Sequence, residues 1–130
     1  MVKRQENTGL AEFTGVVKSV QKEQGLDADK QQYHITIEPE GIEIKGTTGM
    51  LHDWYPLSPK CTEDSVPEGS VMDRMLTQIE ICVSEAKNVA TIKEAFDLLV
   101  GKKFKFKKIK LGKEFDGHAA KEYIVPVAAL

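Results

Sequence analysis

The chain has 130 residues, 41% hydrophobic and 29% charged, with a formal net charge of −2. That length fits a single domain, 1–130, whose core is large enough to fold without staples, and the composition excludes a disordered chain. No apolar run approaches the roughly 20 residues that span a bilayer, and Met1–Asn7 has no apolar signal core, so the expectation is an intracellular, cytoplasmic protein without membrane contact.

Charge is spread unevenly. After residue 100 there are eight lysines against Glu114, Asp116 and Glu122, which leaves the first hundred residues net acidic. A local cationic surface on an acidic body suits a ligand with negative charge at one place. The same lysines also read as a solvated edge that resists strand pairing. Cys61 and Cys82 have no CxxC partner and read as free thiols in a reducing compartment. His34, His52 and His118 share no ligand spacing with them, so neither a metal nor another cofactor is expected.

Residues 1–9 are polar, and the ordered core is expected over about 11–128. Ala11–Val20 is rich in strand formers, with Phe13 and Val17 on one parity and Val16 and Val20 on the other. A glycine bulge or bend at Gly15 would bury both sets and let one strand serve two sheets. Lys22–Lys30, with its glycine and aspartates, reads as a hairpin loop. Tyr33, Ile35 and Ile37 then alternate with His34, Thr36 and Glu38 up to Pro39, giving a second strand with one core face. A turn at Glu40-Gly41 leads to a third strand over Ile42–Leu51.

At the end of that strand stand Trp54 and Tyr55 on opposite parities. Trp54 reads either as a plug closing one end of the fold or as an exposed stacking surface. His52 and Asp53 make no acid/base pair, because adjacent strand residues point to opposite faces and no nucleophile is near. The prolines and acidic residues of Ser58–Gly69 predict a long irregular loop. Ser70 then caps a helix, with Asp73 as the reciprocal carboxylate and an apolar face of Met72, Met75, Leu76, Ile79 and Val83 that ends near Ala86–Asn88. A second capping box at Thr91 and Glu94 opens a shorter helix with Ile92, Ala95, Phe96 and Leu99 on one face and Gly101 as its left-handed stop. In the fourth strand Phe104 and Phe106 alternate with lysines, but Ile109 and Leu111 fall on the other parity, which predicts a bulge at Lys107-Lys108. Lys103, Lys105 and Lys107 form one stripe, with Lys108 and Lys110 turned outward after the slip. A loop over 112–120 precedes a fifth strand, Lys121–Val127, in which Pro126 marks an edge.

Three strands, a helical region over about 70–100, then two strands, with a glycine-bent first strand, resemble the oligonucleotide/oligosaccharide-binding (OB) fold, especially the modules of single-stranded DNA-binding proteins and replication protein A. The resemblance implies a mainly β protein, a five-stranded Greek-key barrel with the helix between strands 3 and 4. In that family the ligand crosses strands 2 and 3 and is gripped by the loops joining strands 1–2 and 4–5. Carried onto this sequence, the ligand surface is His34 and Thr36 on strand 2, Lys45 and Thr47 on strand 3, Trp54 at its end, and Lys105, Lys107, Phe115 and His118 on or beside strand 4, joined by Lys103 from the lysine stripe. The implied function is non-catalytic binding of single-stranded DNA or RNA, with lysines at the phosphates and aromatics under the bases. Asp27, Asp29, Glu38, Glu40 and Glu43 set negative charge beside that surface. The alternative is a protein-interaction or assembly module, or a homo-oligomer, using the same barrel, to which the Pro126 edge, the Met-rich helix and the net acidity belong. There is no phosphate-cradling glycine loop and no assembled nucleophile and base, so no enzyme is expected.

Overall fold

The computed structural model describes residues 12–24, 31–40, 49–111 and 121–130. Five strands, β1 (Glu12–Gln24), β2 (Gln31–Pro39), β3 (Leu51–Leu57), β4 (Lys103–Lys110) and β5 (Glu122–Ala129), form one antiparallel sheet in the order β3-β2-β1-β4-β5. Between β3 and β4 lie α1 (Val71–Cys82), a 3-10 turn (Ser84–Asn88) and α2 (Ile92–Asp97). The protein is therefore mainly β with a short helical region. Among the described residues no helix is long and apolar enough to cross a membrane.

β1 serves two partners, as its length allows. Glu12–Val16 pair with Lys107–Lys103 of β4, while Gly15–Gln24 pair with Pro39–Gln31 of β2. The extra residue that resets its parity is Lys18, where the β1–β2 register shifts between Val17 and Ser19, and not Gly15 as expected. Gly15 has a different job. A Cβ there would lie 2.7 Å from Ile37 Cγ2 and 2.9 Å from the Glu38 carbonyl oxygen, so glycine permits close approach where β1 is sandwiched between β2 and β4. β1 also runs on to Gln24, through residues expected in a loop, because it has β2 to pair with over that whole length.

The described part of the third strand begins at the last residue of the expected one. The segment read as its tail, Leu51–Leu57, is the described strand, and residues 42–48 of the expected strand lie outside the described residues. Leu51, Asp53, Tyr55 and Leu57 point inward, while His52, Trp54 and Pro56 are exposed. Pro56 is tolerated because β3 is a sheet edge.

β3 and β5, the two edges, are not joined by a ladder. They are bridged by side chains instead. Asp53 Oδ2 accepts the Ile124 N–H at 2.7 Å, and the Tyr55 hydroxyl donates to the Ile124 carbonyl. The other Asp53 oxygen accepts the Trp54 N–H at 2.9 Å. Burial pushes the Asp53 carboxyl above its ordinary range, against the pull of those two N–H groups and of Lys121 and Lys108. The Tyr55 hydroxyl is likewise raised, first by burial and then by Asp53 and Tyr123.

The helical region follows its sequence signals at the start and departs from them at the end. Ser70 Oγ accepts the Asp73 N–H at 3.1 Å, and Asp73 reaches back to the Gly69 N–H at 2.7 Å, one residue before the cap. Met72, Met75 and Ile79 are buried, and α1 packs on β5, where Gln78 donates to the Pro126 carbonyl at 3.3 Å. That cover buries four successive residues, Tyr123–Pro126, on a strand that would otherwise alternate. The helix ends at Cys82, earlier than expected, because Val83 turns extended and the chain continues as a 3-10 turn. α2 is capped by Thr91 and ends at Asp97 with Leu98 as its C-cap, short of the expected stop; the chain turns on to Gly101, whose φ of 80° is left-handed and whose N–H reaches the Val17 carbonyl.

The expected bulge at Lys107-Lys108 is absent. The irregularity sits instead between Lys105 and Phe106, where the β5 partners jump from Ala128 to Pro126 and leave Val127 unopposed. Pro126 has no N–H to donate, so a skip beside it breaks little of the ladder. Inside, Phe96 of α2 stacks on Tyr33 at 4.7 Å and 5° and lies 5.7 Å from Tyr55, while Phe13 stacks on Phe106 at 5.4 Å. Glu63, from the long loop, ties that core to the surface: it accepts from Tyr33 Oη, pairs with Lys22 at 2.6 Å, and receives the Lys93 N–H at 3.0 Å.

Candidate functional site

The outer face of β2 and β3 carries three aromatic rings. Register sets His34 directly opposite Trp54 and Thr36 opposite His52, and side chains facing each other across an exposed sheet surface are close enough to touch. His34 and Trp54 stack at 4.7 Å and 18°; His34 lies 5.0 Å from His52, which is 6.1 Å from Trp54. His34 Nε2 and His52 Nδ1 are 2.8 Å apart, and the Thr36 hydroxyl is 3.4 Å from the same His52 nitrogen. Trp54 remains 38% exposed, which decides between its two sequence readings against the plug.

One carboxylate organises the rings from the neighbouring strand. Glu23 of β1 accepts from Trp54 Nε1 at 2.8 Å and from Gln32 Nε2 at 3.0 Å, and its second oxygen lies 3.4 Å from His34 Nδ1. Burial works to raise its pKa, but the bonds from Gln32, Trp54 and His34 outweigh it and hold the carboxyl below the ordinary range. An indole and an imidazole anchored on one fixed anion give a rigid, partly apolar platform with one negative charge at its base. Glu23 and His52 are not among the residues expected at the ligand surface, His52 being read there only as no acid/base partner for Asp53. Glu23 falls in the stretch read as loop, and only the β1–β2 register, which sets it opposite Gln32, brings it under the rings.

Of the residues expected at a ligand surface, His34, Thr36 and Trp54 are brought together here. Lys45, Thr47, Phe115 and His118 lie outside the described residues. Lys103, Lys105 and Lys107 stand on the same outer sheet face, opposite Val16, Thr14 and Glu12, with β1 between them and β2. Lys103 is paired with Glu40 at 2.8 Å and Lys105 with Glu12 at 2.5 Å, while Lys18 is paired with Glu38 at 3.0 Å. Among the described residues no ion pair engages Lys107, Lys108 or Lys110. Lys108 and Lys110 share parity with buried Phe104 and Phe106, and they are exposed because they extend beyond the last described β1 pair, Glu12 with Lys107, not because β4 slips.

Other chemistry is sparse. Cys61 and Cys82 are free, partly buried thiols whose pKa values are raised by burial, the reverse of what a reactive thiol needs. Among the described residues no group of three His, Cys, Asp or Glu side chains is arranged to hold a metal ion. A cleft of about 420 Å³ between the end of α1 and the β4–β5 end, lined by Val83, Lys102, Phe104 and Leu130 among others, shares no residue with the ring platform. No family model, curated protein or solved structure matches the chain.

Proposed function

We propose that this chain is a non-catalytic module that binds single-stranded nucleic acid on the outer face of β2 and β3. The observation that carries the reading is the exposed ring platform of Trp54, His34 and His52, since stacking on aromatic rings is how single strands are held without sequence-specific hydrogen bonds. The element order, the strand order and the Asp53 and Tyr55 bridges between the β3 and β5 edges support reading the sheet as OB-like with its seam between β3 and β5, and on that reading the platform occupies the surface the fold uses for ligands. Phosphates are met by Lys107, the lysine of the outer β4 stripe that no ion pair among the described residues engages. Lys103 and Lys105 contribute only on leaving Glu40 and Glu12, so the salt dependence is shallower than the full lysine count implies.

Titration of the protein with fluorescent oligothymidine at low and moderate salt tests this. Binding that weakens with salt, and a smaller salt slope after Lys107→Gln, supports the reading; no binding at micromolar protein defeats it. A second reading, a protein-interaction or assembly module, is favoured by the Lys18–Glu38, Lys103–Glu40 and Lys105–Glu12 pairs, because a surface of alternating sign suits a partner chain carrying both charges. Light scattering for self-association and a pull-down insensitive to nuclease distinguish the two.

A further inference from the structure

The His34–His52 contact sets the charge of the platform. The Glu23 carboxylate beside His34 Nδ1, at 3.4 Å, calls for a proton on that nitrogen. His34 Nε2 is then the acceptor in the 2.8 Å contact, and His52 Nδ1–H is the donor. That assignment leaves His52 Nε2 without a proton, on a side chain that is exposed. The next proton therefore enters at His52 Nε2 and breaks no existing hydrogen bond. A second added proton has only His34 Nε2 to occupy, where it would set N–H against N–H across 2.8 Å. The contact thus leaves one nitrogen, His52 Nε2, where a proton can add without setting two N–H groups against each other.

The charges around the pair give the proton its consequence. From β1 the facing charged group is Glu23; from β2 the neighbours are Gln32 and Thr36; from β3 they are Trp54 and His52 itself. Glu38, the next outward carboxylate on β2, is occupied by Lys18. With both rings neutral, Glu23 makes the platform net negative and hostile to phosphate. With one proton added, the platform is net neutral and offers an exposed N–H at His52 Nε2.

We infer that the His34–His52 pair is a one-proton switch under the ring platform, and that a polyanionic single strand binds there together with that proton. This rests on the nucleic-acid reading above. The switch is to be read across the range in which imidazole side chains in general change charge, about pH 5 to 8.

The test is titration of the full chain with fluorescent oligothymidine, whose bases do not titrate in this range, from about pH 8 to 5.5 at constant ionic strength. The Kd falls as pH falls, at a limiting slope of about tenfold per pH unit for one linked proton. His52→Gln flattens the dependence. Glu23→Gln binds more tightly than wild type at the high-pH end, the opposite of what a merely structural role for Glu23 gives. Wild-type binding that is independent of pH overturns the switch and leaves the nucleic-acid reading standing, whereas absence of binding at every pH overturns both. Imidazole NMR of the free protein supplies an arm that needs no ligand. One proton taken up jointly by the two rings sustains the switch, and two protons taken up independently overturn it.

Discussion

Replacing Asp53 with alanine removes the acceptor that joins the two sheet edges. The side chain is 8% exposed, and its two oxygens receive the backbone N–H groups of Ile124 and Trp54 at 2.7 and 2.9 Å. Each buried N–H left without a partner costs about 1–3 kcal/mol. Part of that is offset because the carboxylate, whose pKa is raised by burial, no longer has to be desolvated. The expected loss for Asp53→Ala is about 2–4 kcal/mol, and about 1–2 kcal/mol for Asp53→Asn, which retains one carbonyl acceptor. Urea unfolding at neutral pH reads the loss as a lower midpoint with an unchanged slope. Amide hydrogen exchange at Ile124 reads the seam itself, and protection there falls in both variants. Because folded Asp53 holds its proton more tightly than unfolded Asp53, this group's contribution to wild-type stability declines as pH rises from the unfolded carboxylate range through the raised folded value. The gap between wild type and Asp53→Asn accordingly narrows over that window. A loss below about 0.5 kcal/mol with unchanged Ile124 exchange refutes the view that Asp53 holds β5 to β3.

Gly15→Ala puts a methyl 2.7 Å from Ile37 Cγ2 and 2.9 Å from the Glu38 carbonyl; the Ile37 methyl can turn away but the carbonyl cannot, so thermal or urea unfolding shows a loss of about 1–3 kcal/mol. Glu63→Ala costs about 1–2 kcal/mol at neutral pH by orphaning Tyr33 Oη and the Lys93 N–H. Burial works to raise the Glu63 pKa, but Lys22, Tyr33 and the Lys93 N–H lower it further, so its contribution is present above the unfolded carboxylate range and is lost as pH falls through the depressed folded value. Urea midpoints of wild type and variant therefore converge on acidification. Trp54→Ala weakens oligothymidine binding by about 1–3 kcal/mol per stacked base lost while stability changes by under about 1 kcal/mol, and a variant that binds normally removes the platform from the ligand surface.

The elements that could be read from the residues are those with a local physical cause. Strict alternation in Tyr33–Glu38 forces one face inward whatever lies around it, and that strand is found as expected. Ser70 and Thr91 act through bonds within a few residues of themselves, and each caps the helix assigned to it. The misplaced features share the opposite property. Gly15 and Lys18 both break the β1 pattern, and only the register with β2 reveals that Lys18 is the extra residue. Ile109 and Leu111 suggested a slip in β4, whereas the irregularity belongs to β5 beside Pro126, because either strand of a pair can absorb an extra residue.

By itself, then, the sequence determined the strand-rich class, the order of the elements, the inward faces and the helix starts, all consequences of periodicity and near-neighbour bonding. It also carried three of the site residues, His34, Thr36 and Trp54. Tertiary structure decided what those residues are near. The Glu23 anchor, the 2.8 Å contact between His34 and His52, and the pairing of Lys103 and Lys105 with Glu40 and Glu12 all join residues distant in the chain or separated by a turn. The cationic strand thus became a partly neutralised surface and a scattered set of histidines became a platform, because the charge and reach of a side chain depend on register across strands, a quantity no single stretch of sequence contains.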